Sequence, residues 1–382
     1  MHKKTLASAV ILGLASTSAV AGVTYKDGDK YMKLGGRIQL QYNQASPDAG
    51  PTTDKVFFRR FRPYIEGSTN KDWKGKFQWD MGKAVDDNEI SIKDAYMQYS
   101  GARNMKVTIG NYSFPFSREF QTSSKYQQLV ERTFVGDSNY GTPDRQTGIY
   151  VQGNSEDKRI NWTLALADGR VDPDANKLDF ETAANDATDY NQGMMVGARV
   201  DFHPFGKLKM SQGDFKGDTK ATISLAAFNW NNDNDNNTRT TAGVDTSGGK
   251  KPDIDSVTGV EISGAYRANG ISIDAQYNVL SADTVDSTVT RGIYKNGQTD
   301  LSNFALEGGY MVLPSKLELV AGYSSQDADG YVESWNRTEV GANWFVAKHD
   351  IKYQLTYRMN ESEKGVKNSD EDELFVQAQY VF

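Results

Sequence analysis

The chain has 382 residues, no cysteine, three histidines and a formal charge of −7. Lack of cysteine excludes a disulfide scaffold and thiolate metal sites, and His2, His203 and His349 leave little for metal or triad chemistry. The acidic balance gives no footing for a nucleic-acid partner. Apolar residues make up only 38%, lean beside the about 45–50% of soluble domains, so a sizeable interior core is not expected.

Residues 1–21 read as a targeting segment. Lys3 and Lys4 precede an apolar stretch from Leu6 to Leu14, and Ala19-Val20-Ala21 supplies the small residues of a cleavage site. Cleavage after Ala21 would begin the mature domain at Gly22 and leave 41 basic against 50 acidic residues. An amphipathic N-terminal helix is the other reading. No later stretch approaches the ~20 apolar residues of a membrane helix.

From there the sequence alternates. In YMKLGGRIQLQYN, Leu34, Ile38, Leu40 and Tyr42 share one strand face, and Lys33, Arg37, Gln39 and Gln41 share the other. WKGKFQWDM, RINWTLALA, ISIDAQYNV and IKYQLTYRM repeat the pattern. About sixteen such segments follow one another, centred near residues 37, 61, 77, 95, 108, 150, 163, 198, 225, 262, 275, 307, 320, 342, 355 and 378. Short links (STNK, GARN, ANG, LPS, AKHD) alternate with long ones (113–145, 168–190, 231–255, 281–300). The link 203–218 is long where a short turn is due, and the pattern does not account for it.

These features predict an all-β, sixteen-stranded antiparallel transmembrane barrel over residues 22–382. The alternative is a secreted β-sandwich or β-helix, whose strands look alike one at a time. Strand length, tyrosine- and tryptophan-rich apolar faces and the terminal LFVQAQYVF favour the barrel.

FFRRFRPYIEG (57–67) poses a problem. A regular strand would turn Arg59 to the apolar face, costing about 2–4 kcal/mol near a bilayer midplane. Either a β-bulge near Phe58–Arg60 turns Arg59 inward beside Arg60, or Arg59 snorkels at a membrane boundary or subunit interface. Arg62 reads as a wall charge paired with Glu66 or a neighbouring acid. In the long third link, SSKYQQLVERTFV has Tyr126, Leu129, Val130 and Phe134 near helical spacing, with Ser123 and Ser124 as candidate caps. Such anchors would pack the link against the wall of a pore.

GGRIQL, FFRRFRPYIEG, KDWKGKFQWD, DAYMQY, TSSKYQQLVER, GANWF and the final QYVF resemble the phosphate-selective porins (porin O/P) of Gram-negative outer membranes. The similarity is dense over 33–136 and returns from about 338. The resemblance implies a homotrimer of sixteen-stranded barrels whose third loop folds inward into a cationic constriction for small anions, phosphate or carboxylates among them. Carried over by position, the constriction residues would be Arg37, Arg59, Arg60, Ser123, Ser124, Lys125 and Arg132. No cofactor or metal is implied.

Three departures weaken phosphate specificity more than anion preference. Phe120, then Gln121, stands where the family has a lysine. No RxRxR-like run exists, and 231–255 has only Arg239. Lys93 precedes Asp94 where the family has two acids. Aspartates in 168–190 and 231–255 would repel anions at the mouth. Competing readings are a porin of weak selectivity for other solutes and a barrel-anchored receptor or adhesin. The basic third loop disfavours the receptor. An enzyme is disfavoured because no histidine lies near Ser123-Ser124 to activate a nucleophile.

Overall fold

A computed structural model describes residues 22–82, 90–180, 182–185, 191–234 and 252–382. The expected signal segment and Arg239 lie outside the described residues.

Among the described residues, one antiparallel sheet holds nineteen strands. They are β1 (Val23–Asp27), β2 (Lys30–Gly35), β3 (Arg37–Pro47), β4 (Thr53–Phe61), β5 (Tyr64–Ser68), β6 (Trp73–Asp80), β7 (Ser91–Tyr99), β8 (Met105–Ser113), β9 (Arg145–Asn154) and β10 (Ile160–Arg170). Then come β11 (Gln192–Phe202), β12 (Lys220–Asn232), β13 (Ile254–Ala268), β14 (Ile271–Thr284), β15 (Gln298–Leu313), β16 (Leu317–Asp327), β17 (Trp335–Ala347), β18 (Ile351–Glu361) and β19 (Glu371–Val381).

Nineteen strands stand where sixteen segments were expected, for three local reasons. β1 adds a hairpin with β2. A break at Gly36 separates β2 from β3, and one at Arg62–Pro63 separates β4 from β5. Proline has no N–H to give a ladder. The chains still pair across both breaks, since Arg37 N donates to Arg62 O (3.2 Å) and Arg62 N to Arg37 O (2.9 Å). At Gly36 a side chain would meet the Phe382 ring at 2.8 Å. Without one, Gly36 and Phe382 exchange two backbone bonds, and β19 pairs with β3 along its length.

The strands invert the soluble pattern. In β18, Tyr353, Leu355 and Tyr357 are exposed, whereas Lys352, Gln354, Thr356, Arg358 and Asn360 are buried. β11 likewise exposes Met194, Val196 and Val200 and covers Arg199 and Asp201. An exposed apolar face with a covered polar face is the dyad pattern of strands that meet lipid.

The covered face also carries a core that the lean composition argued against. Along β12 it changes from Thr222 and Ser224 to Phe228 and Trp230. Links 171–180 and 285–297 fold onto it, bringing Val171, Leu178, Phe180, Val289, Ile293 and Tyr294 into one buried cluster with Phe228 and Trp230. Average composition hid this because the apolar residues are concentrated in a few links. The expected acid repulsion is also reduced in 168–190, where Asp172 meets Arg170 (2.8 Å) and Asp179 meets Lys177 (2.6 Å).

The links β7–β8, β9–β10, β13–β14, β15–β16 and β17–β18 are short and lie at the end of the sheet that carries Phe382. Asn269 and Gly270 close β13–β14 with both φ angles positive, at 51° and 85°, the two-residue turn that matches strand twist. The long link 114–144 leaves the opposite end, whereas 203–219, also long, lies at the Phe382 end.

Candidate functional site

The β3–β4 ladder pairs Gln39 with Arg60 but Leu40 with Phe58. Arg59 is the extra residue of a β-bulge, the first of the two outcomes the charge argument left open. The bulge brings Arg59 to the covered side, where Nε and Nη2 donate to Glu131 Oε1 and Oε2 at 2.6 and 2.9 Å. Arg60 is 3% exposed. Its Nη1 donates to Gln39 Oε1 at 3.1 Å, and its closest acid is Glu131 at 4.0 Å. Arg62 pairs with Asp80 at 2.7 Å, so the neighbouring acid proves to be Asp80 rather than Glu66.

Link 114–144 lies against the polar face. Phe114 and Phe116 pack edge-on against Phe228. A short helix, α1 (Arg118–Gln121), starts at Ser117, whose hydroxyl accepts from Phe120 N. The backbone N–H groups of Arg118 and Glu119 donate to Glu261 and Gln276 on the sheet. The helix expected over 123–134 does not form. Ser124–Tyr126 makes one 3-10 turn, and Ser123 gives it no side-chain cap.

Beyond that turn the sheet takes over the backbone bonds a helix would have made. Lys352 Nζ donates to Gln127 O (2.7 Å), Asn343 and Gln354 donate to Gln128 O (2.9 and 3.0 Å), and Val130 N donates to Thr356 Oγ1 (3.3 Å). Buried backbone groups must be paired by some partner. Here polar side chains of β17 and β18 supply it, so the spacing of Leu129, Val130 and Phe134 marks burial against a wall rather than helix.

Arg37, Arg60 and the serine pair meet around Gln39. Arg37 Nη1 donates to Ser123 Oγ at 2.9 Å. Gln39 Nε2 reaches Ser124 O at 3.4 Å, which ties Arg60 to the serine pair. The Ser124 hydroxyl, Arg37 Nε, Arg60 Nε and Arg132 Nε are buried without a protein hydrogen-bond partner. Lys125 Nζ sits 4.7 Å from the Tyr126 ring centroid, and Gln379 holds the Lys125 carbonyl. Arg132 Nη2 donates to the carbonyls of Phe120 and Thr122. Its guanidinium lies 5.0 Å from the Phe120 ring centroid, with that of Arg145 at 5.9 Å.

Charges divide into two groups. Arg59, Arg62 and Arg145 are engaged by acids. Arg145 meets Asp94 (2.7 Å) and Asp144 (2.9 Å), and Lys93 also meets Asp144 (3.3 Å). Arg37, Lys125 and Arg132 have no carboxylate within 4.0 Å among the described residues, and Arg60 reaches one only at that limit.

On the loop, burial pushes Lys125 below its ordinary range and Arg37 adds to it. Burial likewise lowers Arg132. Glu131 is raised by burial, but Arg59 and then Arg60 outweigh this and hold it at about 2. Glu119 is raised to about 7, because burial exceeds the help it gets from the Thr133 hydroxyl and N–H.

Sequence reasoning missed Gln39, Glu131 and Arg145 as members of this network. The strand alternation already placed Gln39 on the face of Arg37. Glu131 stands beside Arg132 in the sequence, but nothing local announced its partner.

Residues 32–382 match the family described as phosphate-selective porin O and P. The chain belongs to that family. It is an outer-membrane porin. Porin O of Pseudomonas aeruginosa is 24% identical over 406 aligned positions, which cover 94% of this chain and 90% of that protein. Among solved structures, this porin resembles OmpF of Salmonella typhi with a TM-score of 0.62 at 15% identity, covering 94% of this chain and 100% of that one. It also resembles an anion-selective porin from Comamonas acidovorans, with a TM-score of 0.61 at 12% identity, covering 92% and 100%. At such identities the structures speak for the fold.

Proposed function

We propose that this porin is a diffusion channel for small anions whose constriction is formed by Arg37, Arg60, Lys125 and Arg132 with Ser123 and Ser124. The observation that carries this reading is the set of buried donors without protein acceptors on Arg37, Arg60 and Ser124, joined through Gln39 and the serine pair, with a further one on Arg132 of the same loop. Cations held close together with too few acids favour an anion between them. Arginine and serine donors can replace part of its hydration shell. Arg59 takes a supporting role, since Glu131 already neutralises it.

The reading includes a closed barrel of sixteen staves. β2 with β3 and β4 with β5 each count as one, and β1 is an appended hairpin. Pairing of β19 with β3 supports closure. The third loop then lies inside the barrel, and the end with Phe382 faces the periplasm. Export by a cleaved segment 1–21 and assembly as a homotrimer complete it; the trimer draws support from a solved relative described as a trimer form, OmpT of Vibrio cholerae.

A second reading, a general anion porin without a phosphate site, is favoured by Phe120. Its buried ring occupies the position of the family's lysine, between Arg132 and Arg145. Planar-bilayer recording separates the two. Reversal potentials in a salt gradient should show anion preference, and phosphate should block chloride current only if a phosphate site exists. Cation selectivity at moderate salt would overturn both.

A further inference from the structure

The unexplained link, residues 203–219 between β11 and β12, turns inward at the Phe382 end and meets the third loop. Phe215 packs edge-on against Phe345 and His349, at 4.9 and 5.0 Å between ring centroids. At its inner tip, Gln212 is 1% exposed and every polar group it has is engaged. Its N–H donates to Tyr126 O (3.0 Å). Its side-chain Oε1 accepts from Gln128 N (2.7 Å) and its Nε2 donates to Glu307 (2.8 Å). Its carbonyl meets His349 Nε2 (2.9 Å).

Two of these bonds bracket Gln127 on the loop, two residues beyond Lys125. The 3-10 turn ends with the Tyr126 N–H on Ser123 O (2.7 Å), and from Gln127 the chain is extended, so its position there is set by whatever holds it. Sheet side chains hold the carbonyls of Lys125, Gln127 and Gln128. Gln212 alone holds both the Tyr126 carbonyl and the Gln128 N–H, from an element that is not a strand. Removing its side chain would leave the buried Gln128 N–H and the Glu307 carboxylate without this partner, while the Tyr126 carbonyl keeps the backbone N–H of residue 212, and the loop would move at Gln128 to pair the freed donor.

We propose that Gln212 is a positioning residue for the constriction: the inward turn is a clasp that fixes residues 126–128 and thereby sets where Lys125 stands. The transport consequence rests on the reading of Lys125 as a constriction residue; the clasp itself does not.

The test uses Gln212→Met in the full-length porin, which keeps length and burial and removes the side-chain bonds. The chain has no cysteine, so a nitroxide on Lys125→Cys reports the loop directly. Its mobility should rise in the Gln212→Met background, while a label on Asp137→Cys in the same loop stays unchanged. With Lys125 intact, any phosphate block should weaken about tenfold, as expected for a displaced charge-assisted donor. If Gln212→Met does not fold, Glu307→Ala frees the same side chain and should move the Lys125 label in the same direction. An unmoved label in a folded variant overturns the clasp. A mobile label with unchanged anion block and selectivity overturns the link to transport and leaves the clasp standing.

Discussion

Arg59 and Glu131 form a two-point ion pair between a β-bulge and the third loop, with Nε 2.6 Å and Nη2 2.9 Å from the two carboxylate oxygens. The fork geometry suits arginine. The pair also couples the loop to β4, so one interaction neutralises a cation and anchors the loop.

Glu131→Gln should release Arg59 and add a free cation to the pore. The expected outcome is a larger anion-to-cation permeability ratio, read from reversal potentials. Arg59→Gln should free the Glu131 carboxylate, lower the anion-to-cation permeability ratio and destabilise the loop by about 1–3 kcal/mol. That is below the figure for a fully buried pair, since the Arg59 side chain keeps 30% of its exposure. Unchanged permeability ratios in both variants would show that the pair lies away from the ion path.

Arg60→Gln combined with Lys125→Gln should lower anion preference and abolish any phosphate block. Arg62→Gln combined with Asp80→Asn is the contrast: it removes a matched pair without changing the net charge, so stability should fall while selectivity stays close to wild type. Low-dielectric walls magnify the field of unmatched charges at a constriction. Salt screens distant mouth charges over about 10 Å at 0.1 M. Equal effects of the two changes on reversal potential would refute the division into matched and unmatched cations.

The Glu119 carboxyl accepts from the Thr133 N–H at 3.0 Å and the Thr133 hydroxyl at 2.6 Å. Burial raises it to about 7. Between the unfolded value, about 4.3, and 7, the folded protein binds more protons than the unfolded chain. Its stabilising contribution is therefore full below about pH 4.3 and lost as pH rises through 7. Wild type should lose thermal stability relative to Glu119→Gln between pH 5 and 8. Parallel pH profiles would refute the assignment.

Phe120→Lys should not rebuild the family's lysine site. The ring is 5% exposed and lies between two guanidinium groups. A third cation there would meet repulsion and burial at once. The expected result is a lower melting temperature without stronger phosphate block, whereas stronger block in a folded variant would show that position 120 opens to the pore.

Much of this protein was legible before folding. Period-two alternation requires opposite chemistry on the two faces of a strand, so the lipid-facing apolar and covered polar residues of β11 and β18 follow directly from their order. The Arg59 bulge was legible for the same reason: an arginine out of phase costs too much on an apolar face. The third loop's apolar anchors were visible, but their helical spacing misled, because polar side chains of β17 and β18 supply its backbone bonds. Only tertiary structure could decide that. It also decided which arginines stay unmatched, since Glu131 lies 72 residues from Arg59 and Asp144 joins Lys93 and Arg145 across separate strands. The inward turn at Gln212 has no local signature, because its partners are backbone groups of a distant loop. Local order determines which face a side chain takes; only the folded chain determines which charge it meets there.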